Sequence, residues 1–178
     1  MPVYLITLHA YRSWTEDNPK GYVQRGVSGI KRPDEVRREQ RASLANHPPR
    51  MFERKHQQAI VDLAQEITAR RSIRLHAISC TNSHVHLIAS WTGKEDLFHE
   101  IDSNHDQARR LANKVKTVLA TLLSKQEGTI GNRWFSRGCD CIAVEDREHL
   151  NHLIEAYLPK HSTEGGVVTV YDKGETTP

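Results

Sequence analysis

The chain has 178 residues, 26% charged and 37% hydrophobic, enough for one well-buried domain and too few for two of ordinary size. Its 25 lysines and arginines against 22 aspartates and glutamates leave a net +3, which permits a nucleic-acid partner without announcing one. No apolar run approaches a membrane span, and "MPVYLITLHAYRSW" lacks the charged start and long apolar core of a signal peptide, so a cytoplasmic protein without membrane association is expected.

In chain order, "VYLITLHAY" from Val3 to Tyr11 predicts a first strand, rich in β-branched and aromatic residues. The polar stretch after it, through Pro33, has no clear period and reads as a long loop. A helix is expected from Asp34 to about Ala45, stopped ahead of Pro48 and Pro49. A second, from Glu53 to Arg70, repeats Ile60, Leu63, Ala64 and Ile67 at the spacing of one buried face. "IRLHAISCTN" and "SHVHLIASW" then read as a hairpin turning at Thr81-Asn82-Ser83. A long helix is most regular from His105 to Lys125, with Ala108, Leu111, Ala112, Val115, Leu119 and Leu122 as its stripe. A short strand around Cys139 to Val144 follows, then a helix capped by Asp146 with Leu150, Leu153, Ile154, Tyr157 and Leu158 at its apolar positions. Beyond Pro159 the sequence allows one more short strand before a polar tail. This order predicts an α+β fold, a ferredoxin-like antiparallel sheet sandwich with an additional C-terminal helix. One domain is expected over 1–165, with 166–178 as a short extension.

The triplet His84, Val85, His86 carries the first chemical signal. A strand alternates its side chains, so both imidazoles leave one face while Val85 leaves the other. They are either polar positions on a solvated face or two ligands awaiting a third. Tyr157 and His161 are four apart and share a face if one helix runs through both. A tyrosine on an apolar stripe is ordinarily a core residue with its hydroxyl at the rim. Pro159, between the two, removes a helix hydrogen bond and kinks or ends the helix, so spacing alone leaves their shared face undecided. Cys80, Cys139 and Cys141 are an odd number with no export signal, which argues against a disulfide framework. Cys139-x-Cys141 is closer than the usual zinc spacing and has no second pair, so these read as buried or strand cysteines.

With "SHVHLIAS" on an inner strand, a long helix, a short strand and a helix bearing one tyrosine, the chain resembles the single-tyrosine HUH transposases, including the REP-associated tyrosine transposases. "YLITLHAYRSW" and "RWFSRG" look like the first strand and the pre-strand segment of relatives. The resemblance spans Val3 to His161 in element order. It implies that His84 and His86 bind a divalent metal, Mg2+ or Mn2+. His161 in "YLPKH" stands where the family often has glutamine and would be the third ligand. It also implies that Tyr157 is the nucleophile of a single-stranded DNA endonuclease and strand transferase working through a 5′-phosphotyrosine. The expected partner is single-stranded DNA carrying a hairpin, with a homodimer as one arrangement of the family. Arg133, Arg137, Lys160, Arg109 and Lys116 are the candidate DNA-binding cations, although such residues on helix surfaces are mostly solvated charge. Trp134 and Phe135 read as core more than as base-stacking residues, and His76 and His105 as surface or satisfied histidines. His9 on the first strand is the spare histidine closest to the question. A histidine-triad nucleotide hydrolase fits less well, because Ile88 stands where its third histidine would be. A nucleic-acid-binding module that kept the fold and lost the chemistry is the alternative reading.

Overall fold

The computed structural model describes residues 1–24, 27–95, 97–99, 102–129, 131 and 133–171. Its elements are β1 (Val3–His9), β2 (Tyr22–Val23), β3 (Ile30–Lys31), α1 (Glu35–Ser43), α2 (Arg54–Ala69), β4 (Arg74–Cys80), β5 (His84–Ser90), α3 (Asn104–Gln126), β6 (Asp140–Ala143), α4 (Arg147–His152), a π-helical turn (Leu153–Tyr157), α5 (Pro159–Thr163) and β7 (Val167–Val170). Five strands form one sheet in the order β6-β1-β5-β4-β7, each neighbouring pair antiparallel. In β1-α2-β4 the connected strands flank β5, and in β5-α3-β6 they flank β1. These two interleaved split βαβ units are the ferredoxin-like arrangement, here extended by a fifth strand.

Period-two alternation divides the sheet into two different faces. Tyr4, Ile6 and Leu8 of β1 with Val85, Leu87 and Ala89 of β5 pack under α2 and α3 in the main core. Leu5, Ala77 and Ile88 go to the opposite face, where Leu153 and Leu158 of the C-terminal helical segment cover them in a smaller core. The side-chain period is two, so the face bearing Leu5 and Ile88 also bears Thr7, His9, His84 and His86.

Helix ends follow local chemistry. Asp34 caps α1 by accepting from Arg37 N, Ser103 caps α3 by accepting from Asp106 N, and Asp146 caps α4 by accepting from His149 N. On α3 the buried stripe closes on Leu123, which is fully buried, whereas Leu122 is half-buried. A 3.6-residue period carries Leu119 to 123 more closely than to 122 once the helix is straight. Within the segment expected to be loop, β2 and β3 form a two-stranded hairpin of their own. Val167–Val170 pair with β4, Cys80 opposite Val167, as the edge strand of the main sheet. Residues 172–178 lie outside the described ones. Gly166 makes this last return possible: a Cβ there would sit 2.7 Å from His161 O and 2.9 Å from Cys80 O, so only glycine lets β7 leave α5 so closely. No helix among the described residues is long and apolar enough to cross a membrane.

Candidate functional site

β5 presents His84 and His86 on the face covered by the C-terminal segment, and α5 brings His161 over them. The ring centroids are 4.7 Å apart for His84 and His86, 5.1 Å for His84 and His161, and 4.8 Å for His86 and His161. One potential ligand nitrogen from each ring falls within 4.8 Å of the others. Tyr157 joins them, its hydroxyl 3.3 Å from His86 Nε2 and its ring centroid 5.3 Å from that of His161.

Pro159 is what makes this grouping informative. A proline within a regular helix loses its hydrogen bond and crowds the carbonyl four residues back, here that of Glu155. The chain answers by widening into the π-helical turn, closed by Leu158 N donating to Leu153 O at 2.9 Å, five residues back. Pro159 then opens α5 at a position that needs no donor, and His161 N donates to Leu158 O at 3.0 Å. The break is absorbed one turn early, and Tyr157 and His161 stay on the same side.

Each imidazole is held from behind by a hydroxyl on Nδ1. Thr7 Oγ1 lies 2.9 Å from His86 Nδ1 and Ser79 Oγ 2.8 Å from His161 Nδ1. His84 Nδ1 meets Ser83 Oγ at 2.9 Å and Thr81 Oγ1 at 3.1 Å. In the tautomer with the proton on Nδ1, every ring donates to its hydroxyl and presents a bare Nε2 lone pair. Sequence reasoning missed these four hydroxyls. For two of them the signal was register: Thr7 and Ser79 are the cross-strand partners of His86 on either side of β5, and a single sequence does not reveal pairing, whereas Thr81 and Ser83 stand in the turn just ahead of His84.

Burial lowers all three imidazoles, and the neighbouring rings add to it at His84 and His86. Burial first, then His161 and His9, depress His84 to about 4; burial and the other imidazoles take His86 lower still. Burial also lowers His161, opposed by Glu164. The Tyr157 phenol is raised, by burial and then by Glu164. Neutral imidazoles with anchored rings and unprotonated Nε2 atoms, the one on His86 facing the Tyr157 hydroxyl, are a donor set for a divalent transition-metal ion. The face is less open than a solvated sheet face would be: His86 is 5% and His161 6% exposed, with His84 half-buried at the mouth. Beside His84 on β1, His9 Nε2 lies 3.1 Å from Asp140 Oδ2 of β6, with the two histidine rings 6.3 Å apart.

The candidate cations are dispersed. Lys116, Arg133 and Arg137 line one groove of about 520 Å³ beside α3, with Trp134 and Phe135 in its wall. Lys116 Nζ donates to Ser136 O and Gly138 O there, and the Arg133 guanidinium lies 5.8 Å from the centre of the Tyr11 ring. Arg109 is exposed on α3, its charge felt by Cys139 and Cys141, and Lys160 is exposed on α5 next to the site. Trp134 is buried, edge-on to His56 and donating to Ser124 Oγ at 2.9 Å, a core role. His76 is also buried, with Nε2 2.9 Å from Ser90 Oγ.

No family model matches the chain, and no curated protein matches it. Among solved structures it is similar to a REP-associated tyrosine transposase bound to a REP hairpin, at 8% identity and a TM-score of 0.45, covering 92% of this chain and 68% of that one. It is also similar to a putative transposase from Deinococcus radiodurans, at 15% identity and a TM-score of 0.40, covering 90% and 92%.

Proposed function

We propose that the chain is a metal-dependent single-stranded DNA endonuclease and strand transferase of the transposase type, with Tyr157 as its nucleophile. The observation that carries this reading is the Tyr157 hydroxyl, 3.3 Å from His86 Nε2, at the edge of three hydroxyl-anchored imidazoles. A tyrosine that served packing alone would not need three neutral nitrogen donors beside its oxygen.

His84, His86 and His161 would hold Mg2+ or Mn2+ through Nε2, of which Mn2+ suits three imidazoles better. Bound there, the ion would polarise a phosphodiester and leave coordination positions for its oxygens. Thr7, Ser79, Thr81 and Ser83 keep the rings aimed, so little ordering is left for the moment of binding. Tyr157 Oη attacks phosphorus, the bond from phosphorus to the 3′-oxygen breaks, and the proton lost by the phenol is returned through solvent to the departing 3′-oxygen. The products are a 5′-phosphotyrosine and a free 3′-hydroxyl. Because the ester conserves the bond, another 3′-hydroxyl can displace the tyrosine and rejoin the strand. A phenol raised by burial remains protonated at neutral pH, which is why an electrophile sharpened by a metal is required.

The substrate proposed is single-stranded DNA with a hairpin and unpaired flanks, the cations of α3, α5 and the Arg133–Arg137 segment contacting phosphates. Binding should then weaken with salt. The test incubates the protein with Mn2+ and labelled single-stranded hairpins. A denaturation-resistant adduct carrying the DNA 3′ of the cut, lost in EDTA, supports the enzyme. Hairpin binding with no adduct under any divalent ion would instead identify the inactive binding module.

A further inference from the structure

Cys139 and Cys141 take no part in the chemistry above, and their geometry is specific. Their Sγ atoms are 3.7 Å apart, both half-buried on the α3 side of β6. Cys141 is fixed in the ladder opposite Ile6, whereas Cys139 stands outside it, directly after Gly138 at φ 80°. β6 is an edge strand, free to twist without breaking a second ladder. One sulfur is therefore anchored and the other sits on a hinge.

The surroundings are cationic. Lys116 Nζ donates to the carbonyls of Ser136 and Gly138, which pins an ammonium beside the residue preceding Cys139. Arg109 adds a second positive charge. The hydrogen bond from Cys141, helped by Lys116 and Arg109, holds the Cys139 thiol down at about 6, while that same bond and burial push Cys141 up. The third cysteine, Cys80, is fully buried, with its thiol raised by burial. A half-buried thiol of lowered pKa next to a resolving thiol 3.7 Å away is the arrangement of oxidation-sensitive cysteines, while two sulfurs beside two cations make a poor metal-cation site.

We propose that Cys139 and Cys141 form a peroxide-oxidisable thiol pair that closes to an intrachain disulfide. The Cys139 thiolate attacks one oxygen of hydrogen peroxide, breaking the O–O bond and giving a sulfenic acid and one water. Cys141 sulfur then attacks Cys139 sulfur, forming the S–S bond and releasing the second water. Two thiols are oxidised by two electrons and one peroxide is reduced to two waters. Between them, Asp140 faces the other side of the sheet and meets His9, so ring closure acts on the strand that borders the histidine cluster.

The experiment treats the full chain with hydrogen peroxide and follows intact mass and peptide maps. The folded protein should lose about 2 Da, with the link between Cys139 and Cys141 and Cys80 still free. Closure should be at least about tenfold faster than in the same chain unfolded in guanidine, and slower in Lys116→Gln. Cys141→Ser should stop at a sulfenic acid that dimedone traps on Cys139. No loss of mass, overoxidation of Cys139 without a link, or equal rates folded and unfolded would each overturn the proposal.

Discussion

The two faces of one sheet were built to different rules. Under α2 and α3 the side chains are almost all apolar, and among the few polar groups Gln107 accepts from Trp91 Nε1 at 2.6 Å and Gln57 Nε2 donates to Phe52 O at 3.0 Å. Under the C-terminal segment, five buried apolar residues and a rim of half-buried ones such as Val3, Ile154 and Val168 hold the cover down, while the strand ends beside them carry histidine, threonine and serine under one tyrosine. Gathering two buried imidazoles and a half-buried third carries a cost, and it falls where their nitrogens converge. Stability and chemistry are separated by the pleat of the strands, and substitutions on the two faces should have separable effects.

The largest stability effect is expected on the apolar face. Leu119→Ala, at a fully buried position of α3, should lower the unfolding free energy by about 2–5 kcal/mol in urea titration. The metal-free His84→Ala, His86→Ala protein should lose less, since His84 is only half-buried and the main loss at His86 is the partner of the Thr7 hydroxyl, about 1–3 kcal/mol. If the histidine variant unfolded as readily as the leucine one, the division between faces would fail.

Metal binding sharpens the contrast from the other side. Calorimetry with Mn2+ should find one site in the wild type and none in the double histidine variant, while Leu119→Ala, under conditions where it remains folded, still binds. Thr7→Val keeps the shape of the side chain and deletes the hydroxyl behind His86. It should weaken Mn2+ by about 10- to 100-fold, and Ser79→Ala should do the same through His161. Unchanged affinity in both would mean that the hydroxyls do not orient the ligands.

A smaller effect is expected from protons. The folded chain keeps His84 neutral down to about 4, with His86 and His161 also depressed, whereas the unfolded chain takes up protons near the ordinary imidazole value of about 6.5. The unfolded state then binds more protons, so stability is full above about 6.5 and declines as the pH falls toward 4. Urea midpoints of the metal-free protein should follow that slope, and the double histidine variant should show a shallower one. A slope equal in the two proteins would place the titration elsewhere.

Much of the fold was legible because its signals are local. Val85 between two histidines fixed which face each residue takes, Asp146 marked a helix start, and the stripe from Ala108 to Leu119 marked the long helix. The grouping of Tyr157 with His161 was not legible, since Pro159 argues against a continuous helix and nothing in the sequence announces a π-helical turn that absorbs it. The hydroxyls of Thr7 and Ser79 were equally hidden, because they act across strands whose register depends on the whole sheet. The short hairpin of β2 and β3 escaped because two-residue strands carry no period to read.

Tyr157→Phe bears most directly on the central claim. The substitution deletes one oxygen and keeps the ring that packs beside Leu153 and Leu158, so folding, Mn2+ binding and hairpin binding should persist. With Mn2+ and a cleavable single-stranded hairpin, the wild type should form a covalent adduct whose DNA maps to the peptide containing Tyr157, and the variant should form none. An adduct in the variant, with DNA mapped to Tyr4, Tyr11, Tyr22 or Tyr171, would contradict the account.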